Sequence, residues 1–203
     1  MKNKDWLVTE DGQYQACKSV REWDLLRHPY RFYRFLTEVE DVLSHVTNEI
    51  RCLPEIRLLV RRLLANSYWV QTRYLEPCPK TGTSVLMLYE EFSFPLTVQT
   101  VTFAPGVVSP IHNHGTWGVV ALLRGQEKNT FWKRINDPDL KDKIEEIGEL
   151  SLVSGDIISF TPDAIHSVEA LGDEPTVTFN IYGETHHQKR FEFDPLTHSA
   201  KNF

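Results

Sequence analysis

Two histidines, His112 and His114, stand two residues apart in the stretch SPIHNHGTWGVVALLRGQ, just ahead of an apolar run that is broken by one turn. On a β-strand, residues i and i+2 face the same side of the sheet, so both imidazoles point into one space. A pair at this spacing can supply two ligands to one metal ion, whereas adjacent histidines on a strand diverge. Because this pattern is common by chance, surface or hydrogen-bonded core histidines are the alternative at this point.

The cysteines exclude other kinds of metal site. Cys17, Cys52 and Cys78 are widely separated and form no C-x-x-C pair. This pattern indicates neither a disulfide framework nor a thiolate zinc site. Metal ligands, if the protein binds a metal, must therefore come from histidines and carboxylates.

Composition limits the class of protein and its partners. The chain has 203 residues, of which 41% are hydrophobic and 25% charged, as is typical of one globular domain. A formal net charge of -6 argues against a nucleic-acid partner, which would need a concentrated basic face. No stretch approaches the roughly 20 apolar residues of a membrane span, and the N-terminus has no apolar run of signal-peptide length. We therefore expect a cytoplasmic protein.

Two charged segments are predicted to be exposed. The basic cluster RLLVRR, from Arg57 to Arg62, alternates with apolar residues at helical spacing and is typical of the solvated face of an amphipathic helix. The segment RINDPDLKDKIEEIGE separates two apolar runs and is predicted to be an exposed loop with a helical turn.

The elements that position the histidines fall into two parts. From about residue 19 to 75, apolar residues recur every three or four positions, which predicts two or three helices. Pro29 suits the first turn of one helix and Pro54 the start of another. After the break EPCPKTG, short β-branched and aromatic runs end at Gly or Pro about every ten residues. From about residue 83 to 193 this texture predicts an antiparallel barrel or sandwich.

Two strand-turn-strand units, FAPGVVSPIHNHGTWGVVALLRG and LVSGDIISFTPDAIHSVEAL, resemble each other. Together they resemble the two characteristic motifs of the cupin superfamily, whose landmarks here are Gly106, His112, His114, Gly155, Pro162 and His166. The resemblance covers about residues 100 to 184. It implies a mainly β fold in a single domain spanning 1–203, a double-stranded β-helix (jelly-roll) barrel preceded by the helical segment. It also implies that His166 completes a metal site with the H-x-H pair.

One departure from the cupin pattern concerns the fourth ligand. Most cupins carry a glutamate after three or four residues beyond the H-x-H pair, where this chain has Gly118 and Val119. The next acid, Glu127, lies beyond the turn at Gly125. The expected site therefore has three neutral imidazoles and no carboxylate, which leaves a divalent ion its full charge and favours an anionic ligand. A thiol fits this demand because coordination deprotonates it.

The strip PIHNHGTWGVVALLRGQEKN, the downstream FTPDAIHSVEAL and the closing Tyr182-Gly183 pair resemble the thiol dioxygenase family, which includes cysteine dioxygenase and 3-mercaptopropionate dioxygenase. The resemblance implies a mononuclear non-haem Fe(II) enzyme that adds both atoms of O2 to a small thiol carboxylate, giving a sulfinate. Some members cross-link a cysteine just after the H-x-H pair to the tyrosine. Residues 115 to 120 hold no cysteine, so we expect no cross-link.

That family places a Ser, a His and a Tyr near the iron. The last strand of this chain has Thr178, Asn180 and Tyr182, which alternation puts on one face. Thr178 offers a hydroxyl as a serine does, whereas Asn180 donates or accepts hydrogen bonds but does not titrate. Tyr182 could donate a hydrogen bond to O2 or to the substrate carboxylate. The alternative is an ordinary strand with its polar residues in solvent.

Substrate-binding candidates come from the resemblance as well. The cysteine enzymes hold the carboxylate with an arginine ahead of the metal motif, where YWVQTRYLEP offers Gln71 and Arg73. Only an arginine can form a bidentate clamp, and a surface arginine is the alternative. Trp117 is expected in an apolar wall of the pocket, or else in the core. The remaining histidines are predicted to be structural or exposed: His28, His45, His186, His187 and His198.

Other functions stay open at this point. A fold does not fix a function, so a cupin isomerase or hydrolase that uses Mn, Ni or Zn is one alternative. A non-catalytic ligand-binding cupin or sensor is another. Within the thiol dioxygenase family, the changed Thr178 and Asn180 leave room for a larger thiol, such as the N-terminal cysteine of a peptide.

Overall fold

The computed structural model describes residues 4–18, 29–46, 48–91 and 96–203. The first part of the predicted helical region, residues 19–28 with His28, lies outside the described residues. The elements in chain order are β1 (Asp5–Val8), β2 (Tyr14–Cys17), α1 (Phe32–His45), α2 (Glu49–Asn66), α3 (Tyr68–Gln71), β3 (Thr83–Glu90), β4 (Leu96–Phe103), β5 (Ile111–His112), β6 (Gly118–Arg124), β7 (Gln126–Arg134), β8 (Ile144–Val153), β9 (Ile157–Phe160), β10 (Ile165–Leu171), β11 (Thr176–Gly183), β12 (Phe191–Asp194) and β13 (Ser199–Asn202). None of the described helices is both long and apolar enough to span a membrane.

The strands form two sheets that pack face to face. One sheet has the order β2-β1-β9-β6-β11-β4-β3 and the other β13-β12-β5-β10-β7-β8. Paired strands run antiparallel except β1 and β9, which are parallel. The predicted mainly β jelly-roll barrel with helices in its N-terminal part is confirmed. The hairpin of β1 and β2 goes beyond that prediction, because it adds two strands ahead of the helices.

Strand β11 shows how one strand serves two layers. Phe179 is fully buried on the outer face of the sheet, where its ring lies 6.0 Å from that of Phe35 on α1. The alternate residues Thr178, Asn180 and Tyr182 line the cavity between the sheets. The helices thus cover the outer face of the seven-stranded sheet, and the second sheet covers its inner face.

Helix α2 begins earlier than its proline indicates. Its first residue is Glu49, and the Asn48 side chain accepts hydrogen bonds from the backbone N–H groups of Ile50 and Arg51. An asparagine N-cap therefore sets the start of the helix. The prediction that α2 starts at Pro54 is wrong, because this proline lies inside the helix.

The basic cluster on α2 is largely buried. Arg57 and Arg61 are 7% and 8% exposed. Arg57 Nη1 donates to Ser159 Oγ at 2.8 Å, while Arg61 forms an ion pair with Asp5 and donates to the carbonyl of Gly155 at 3.1 Å. The prediction of a solvated face is wrong for these two arginines because their side of the helix packs on β1 and β9.

The acidic half of the segment RINDPDLKDKIEEIGE is a strand. Residues 135–143 form a loop with turns, but Ile144–Val153 is β8 and pairs with β7. Lys133 Nζ lies 2.8 Å from Glu145 Oε1, and Lys128 Nζ lies 3.9 Å from Glu149 Oε2. The predicted loop with a helical turn is wrong from Ile144 onward, because cross-strand pairing with lysines favours a strand there.

The buried ion pair between Asp5 and Arg61 joins β1 to α2 and gives the first prediction. Asp5→Ala leaves a buried guanidinium without its counterion, so we expect the free energy of unfolding to fall by about 3 kcal/mol. Glu174→Ala is the control, because the Arg124–Glu174 pair is exposed and should contribute less than about 1 kcal/mol. Urea unfolding of both variants measures the losses, and equal losses would contradict the role given to Asp5.

Candidate metal centre

Three histidines meet in the cavity between the two sheets. His112 on β5 and His166 on β10 are directly opposite partners in the antiparallel register, and His114 follows two residues after His112. Ring centroids are 4.7 Å apart for His112 and His166, 4.9 Å for His112 and His114, and 5.2 Å for His114 and His166. The potential ligand nitrogens all lie within 4.8 Å of one another. The structure therefore brings together the three histidines that the sequence singled out.

The spacing of the nitrogens fits one metal ion. The Nε2 atoms of His114 and His166 are 3.0 Å apart. Two nitrogens that are each about 2.1 Å from one ion and at right angles to each other are about 3.0 Å apart. In the described parts of the chain, no carboxylate or thiol belongs to this group. The residues thus fit a mononuclear ion held by imidazoles alone.

Backbone and side-chain acceptors orient two of the rings. His112 Nδ1 lies 2.9 Å from the carbonyl oxygen of Pro110, and His166 Nδ1 lies 3.0 Å from Oδ1 of Asn129. Each oxygen accepts a hydrogen bond, so each Nδ1 carries the hydrogen. The Nε2 atom then keeps a lone pair for a metal.

The imidazoles are poised to be neutral. Burial lowers the pKa of His112, although its hydrogen bond to Pro110 acts in the opposite direction. Burial also lowers the pKa values of His114 and His166 well below 6.5, with repulsion between the histidines adding to the effect. Neutral imidazole is the form that binds a metal ion.

The polar residues of β11 lie beside the histidines. The ring of Tyr182 stacks on that of His114 with centroids 4.7 Å apart. The Tyr182 hydroxyl donates to Asn180 Oδ1 at 3.2 Å, and Asn180 Nδ2 donates to Thr178 Oγ1 at 2.9 Å. Burial raises the pKa of Tyr182 above 10, so the phenol stays protonated. The alternative of solvent-facing residues does not hold, since Thr178 and Asn180 are each 3% exposed.

Gly118 stands where most cupins carry a glutamate, and its missing side chain leaves room for Tyr182. A Cβ at this position would lie 2.8 Å from Cδ1 and Cε1 of the tyrosine ring. Val119, the other possible position, is fully buried in the core cluster shared with the helices. Neither position offers a carboxylate to the site, so the metal group stays all-imidazole.

The structure does not bring Gln71 and Arg73 to the cavity. Helix α3 ends at Gln71, whose Nε2 donates to the carbonyl of Leu64 at 2.7 Å. The exposed Arg73 lies over the ring of Trp69, 5.5 Å from its centroid. The hydroxyl of Thr100 donates to the Arg73 carbonyl, and Thr100 points away from the cavity side of β4. The extended register considered for this stretch does not apply to Tyr68–Gln71, which is helical, and Arg73 lies in the irregular segment that follows.

Trp117 also lies outside the cavity. It is buried in the core cluster between the helices and the seven-stranded sheet, and its carbonyl accepts a hydrogen bond from Gly183 N–H at 3.2 Å. Trp117 is therefore a core residue, which was the alternative in the sequence analysis.

His45, His186 and His187 are exposed, in keeping with the sequence analysis.

Arg190 is a cavity residue that sequence reasoning missed. It follows the short 3-10 helix His187–Lys189, lines the cavity with the histidines, and places its guanidinium 4.1 Å from the ring centroid of Phe203. Burial lowers its pKa. Among the described residues no carboxylate pairs with it, and its buried Nε has no hydrogen-bond partner. No local motif marks this arginine, which lies in a polar stretch.

Glu127 and Asn129 are two further cavity residues without a sequence assignment. Both are almost fully buried, and Asn129 Nδ2 donates to Glu127 Oε1 at 2.9 Å. Burial raises the pKa of Glu127 to about 7, although the hydrogen bond from Asn129 acts in the opposite direction. The alternation of QEKNTFW was the available signal, because it puts both residues on the same face as the buried Phe131.

The cavity itself has a volume of about 780 Å³. The ring of Phe160 forms an apolar wall, with its centroid 4.2 Å from that of His166. Further apolar lining comes from Val101 and Ile158. The site therefore combines the histidine group with an apolar wall on one side.

No family model matches the chain. Solved structures that are similar to it include an oxalate oxidase in complex with glycolate, at 14% sequence identity and a TM-score of 0.41 over 60% of each chain. The cupin domain of Schizosaccharomyces pombe Cnp3 has 11% identity and a TM-score of 0.43, over 58% of this chain and 73% of that one. A cupin-like protein from Thermotoga maritima has 19% identity and a TM-score of 0.38, over 60% of this chain and 75% of that one. The chain thus spans about three fifths of the oxalate oxidase.

Glu127 gives a pH prediction. Its carboxyl has a pKa of about 7 in the folded protein against 4.5 when exposed, so between these values the folded state holds a proton that the unfolded chain releases. Stability therefore falls as pH rises through this window. Glu127→Gln has no proton to lose, and above pH 7 we expect it to exceed the wild-type free energy of unfolding by up to roughly 3 kcal/mol.

Urea unfolding of the metal-free protein at several pH values between 4.5 and 8 measures this difference. The advantage of Glu127→Gln should shrink toward the acid end. Glu146→Gln, on the exposed face of β8, is the control and should show no such trend. A difference for Glu127→Gln that stays constant with pH would contradict the burial of a titrating carboxyl.

Proposed function

We propose that the protein is a non-haem Fe(II) thiol dioxygenase that oxidises a small thiol carboxylate, such as cysteine or 3-mercaptopropionate, to its sulfinate. Both atoms of O2 end on the sulfur. The sulfur loses four electrons and O2 gains four, so the reaction needs no other reductant. The observation that carries the proposal is the cavity-facing group of three neutral histidines with no carboxylate among its described members.

Charge is the first support. Three neutral imidazoles leave the charge of a divalent ion uncompensated, so the site favours an anionic ligand such as a thiolate. Gly118 and Tyr182 keep a carboxylate from the cupin glutamate position, which maintains this preference. When bound, Fe(II) would supply affinity for thiolate and O2 and the electron transfer between them, which side chains alone do not offer.

Arg190 supports a substrate that carries a second negative group. Its guanidinium faces the cavity near the histidines and forms no ion pair with another described residue. A guanidinium binds a carboxylate with two parallel hydrogen bonds, which fixes orientation as well as position. A thiol carboxylate held in this way would direct its sulfur toward the histidines.

Tyr182 and Phe160 complete the surroundings of the reacting groups. The phenol keeps its proton on Oη, and Asn180 holds that hydroxyl in place beside His114. Because its one hydrogen goes to Asn180 Oδ1, the phenol offers its oxygen lone pairs, as a neutral hydrogen-bond acceptor, next to the ligand space. Phe160 packs an apolar ring against His114 and His166.

Oxygen consumption tests the proposal. After anaerobic reconstitution with Fe(II), we expect O2 uptake that requires a thiol and yields one sulfinate per O2 consumed. The panel is cysteine, 3-mercaptopropionate, cysteamine and a peptide with an N-terminal cysteine. His166→Ala should lose both iron and turnover, because it removes one of three ligands.

Other outcomes would point to the other functions. No O2 uptake with any thiol of the panel would contradict the proposal, and so would full iron content in His166→Ala. Metal-dependent turnover without oxygen would indicate an isomerase or hydrolase. Metal and thiol binding without any turnover would indicate a ligand-binding protein.

The size of the cavity favours one second candidate substrate. A volume of about 780 Å³ lies in the range of pockets that hold drug-sized ligands, well above the needs of a three-carbon thiol. A peptide with an N-terminal cysteine would use more of this space. A higher kcat/KM for the peptide than for free cysteine would support this candidate.

Substitution of Arg190 separates the two arginine assignments. Arg190→Gln removes the charge that would hold the carboxylate, so we expect kcat/KM for cysteine to fall on the order of 10- to 100-fold. Turnover of cysteamine, which lacks a carboxylate, should change little. Arg73→Gln should leave both substrates unaffected. The opposite pattern, with Arg73 sensitive and Arg190 not, would restore the assignment made from the sequence.

A further inference from the structure

We propose that Glu127 is a positioning residue for the metal centre and that it determines, through Asn129, which nitrogen of His166 carries the hydrogen. The inference rests on the metal site of the proposed function but not on its thiol or O2. Glu127 is two hydrogen bonds away from the histidine and is not a member of the ligand group.

The three residues form a chain across two neighbouring strands. Glu127 and Asn129 alternate on the inner face of β7, and His166 lies on β10, which pairs with β7. Asn129 Nδ2 donates to Glu127 Oε1 at 2.9 Å, and Asn129 Oδ1 lies 3.0 Å from His166 Nδ1. The burial of all three residues shields these hydrogen bonds from competition with water.

An asparagine amide has one donor end and one acceptor end, so the two hydrogen bonds are coupled. While Nδ2 donates to the Glu127 carboxylate, Oδ1 must face His166, and Nδ1 of His166 must carry the hydrogen. The lone pair of His166 then lies on Nε2, 3.0 Å from Nε2 of His114. If the Asn129 amide were flipped, its Nδ2 would donate to Nδ1 of His166. The hydrogen of the imidazole would then lie on Nε2, where it blocks metal binding.

The burial of Glu127 has no apparent structural benefit. A carboxyl group inside a barrel costs free energy unless its partners compensate for lost water. The next inward residue after Asn129 on the strand is the fully buried Phe131, so an apolar side chain suits this face. A leucine at position 127 would fill similar space without a polar group. We therefore assign the carboxylate the role of orienting the Asn129 amide and, through it, His166.

Metal affinity provides the first test. Glu127→Leu keeps the volume but removes the acceptor, so we expect Co(II) to bind the metal-free protein 10- to 100-fold more weakly, as is typical when a group behind a ligand is lost. The visible absorbance of Co(II) measures the dissociation constant. Lys128→Ala is the matched control, because Lys128 lies on the same strand, faces outward and pairs with Glu169. Its affinity should equal that of the wild type.

A second substitution tests the mechanism. An aspartate at position 129 has acceptors at both ends and needs no partner to orient it. For Glu127→Leu combined with Asn129→Asp, we therefore expect a dissociation constant for Co(II) no more than about threefold above that of the wild type. The reference is Asn129→Asp alone, because the added negative charge strengthens metal binding in both variants; a role limited to packing would leave the double variant weaker than Asn129→Asp. Glu127→Val is made in parallel, so that the test still applies if the leucine variant does not fold.

The tautomer itself is visible without any metal. Long-range ¹H–¹⁵N NMR spectra of the metal-free protein distinguish the hydrogen on Nδ1 from that on Nε2 of His166. We expect Nδ1–H in the wild type and the double variant, and a mixture in Glu127→Leu. An unchanged tautomer together with unchanged Co(II) affinity would overturn the inference. Neither measurement uses thiol or O2, so the failure of thiol oxidation would overturn only the proposed function.

Discussion

Polar side chains inside the barrel need partners within it, because helices cover one face of the seven-stranded sheet and the second sheet covers the other. Two hydrogen-bonded chains meet this demand. Tyr182, Asn180 and Thr178 form one on β11, and the chain from His166 through Asn129 to Glu127 forms the other on the opposite wall. The three imidazoles and the guanidinium of Arg190 stay directed at the cavity, and they define the site.

Most features that the sequence predicted correctly follow from local periodicity. The i and i+2 spacing of His112 and His114 holds in the structure, and so does the alternation that puts Asn180 and Tyr182 on one face. Local periodicity does not predict contacts between segments that are distant in the chain. Arg61 resembles a surface residue until α2 packs on β1, which lies more than fifty residues away in the chain. Arg190 enters the cavity from a loop after the barrel motif, and nothing in its neighbourhood indicates this.

The polar groups that form the site at the centre of the barrel lower the stability of the fold. The cavity holds the buried carboxyl of Glu127, on the inner face of the six-stranded sheet, and the half-buried guanidinium of Arg190, and both groups cost free energy. The outer face of the seven-stranded sheet packs against the helices through aromatic and aliphatic side chains such as Phe35 and Phe179. The apolar layer between the helices and the seven-stranded sheet therefore offsets the free-energy cost of the polar groups in the cavity. The helices stabilise the barrel in this way without contacting the site.

The close approach of Gly118 and Tyr182 has a consequence for how such sites diverge. The ring and a carboxylate side chain compete for one volume, so a single substitution to glutamate would collide with the tyrosine. A carboxylate at position 118 on β6 therefore requires that the ring at position 182 on β11 shift or be replaced as well. The absence of a carboxylate from the three-histidine group thus depends on a pair of residues, neither of which belongs to that group.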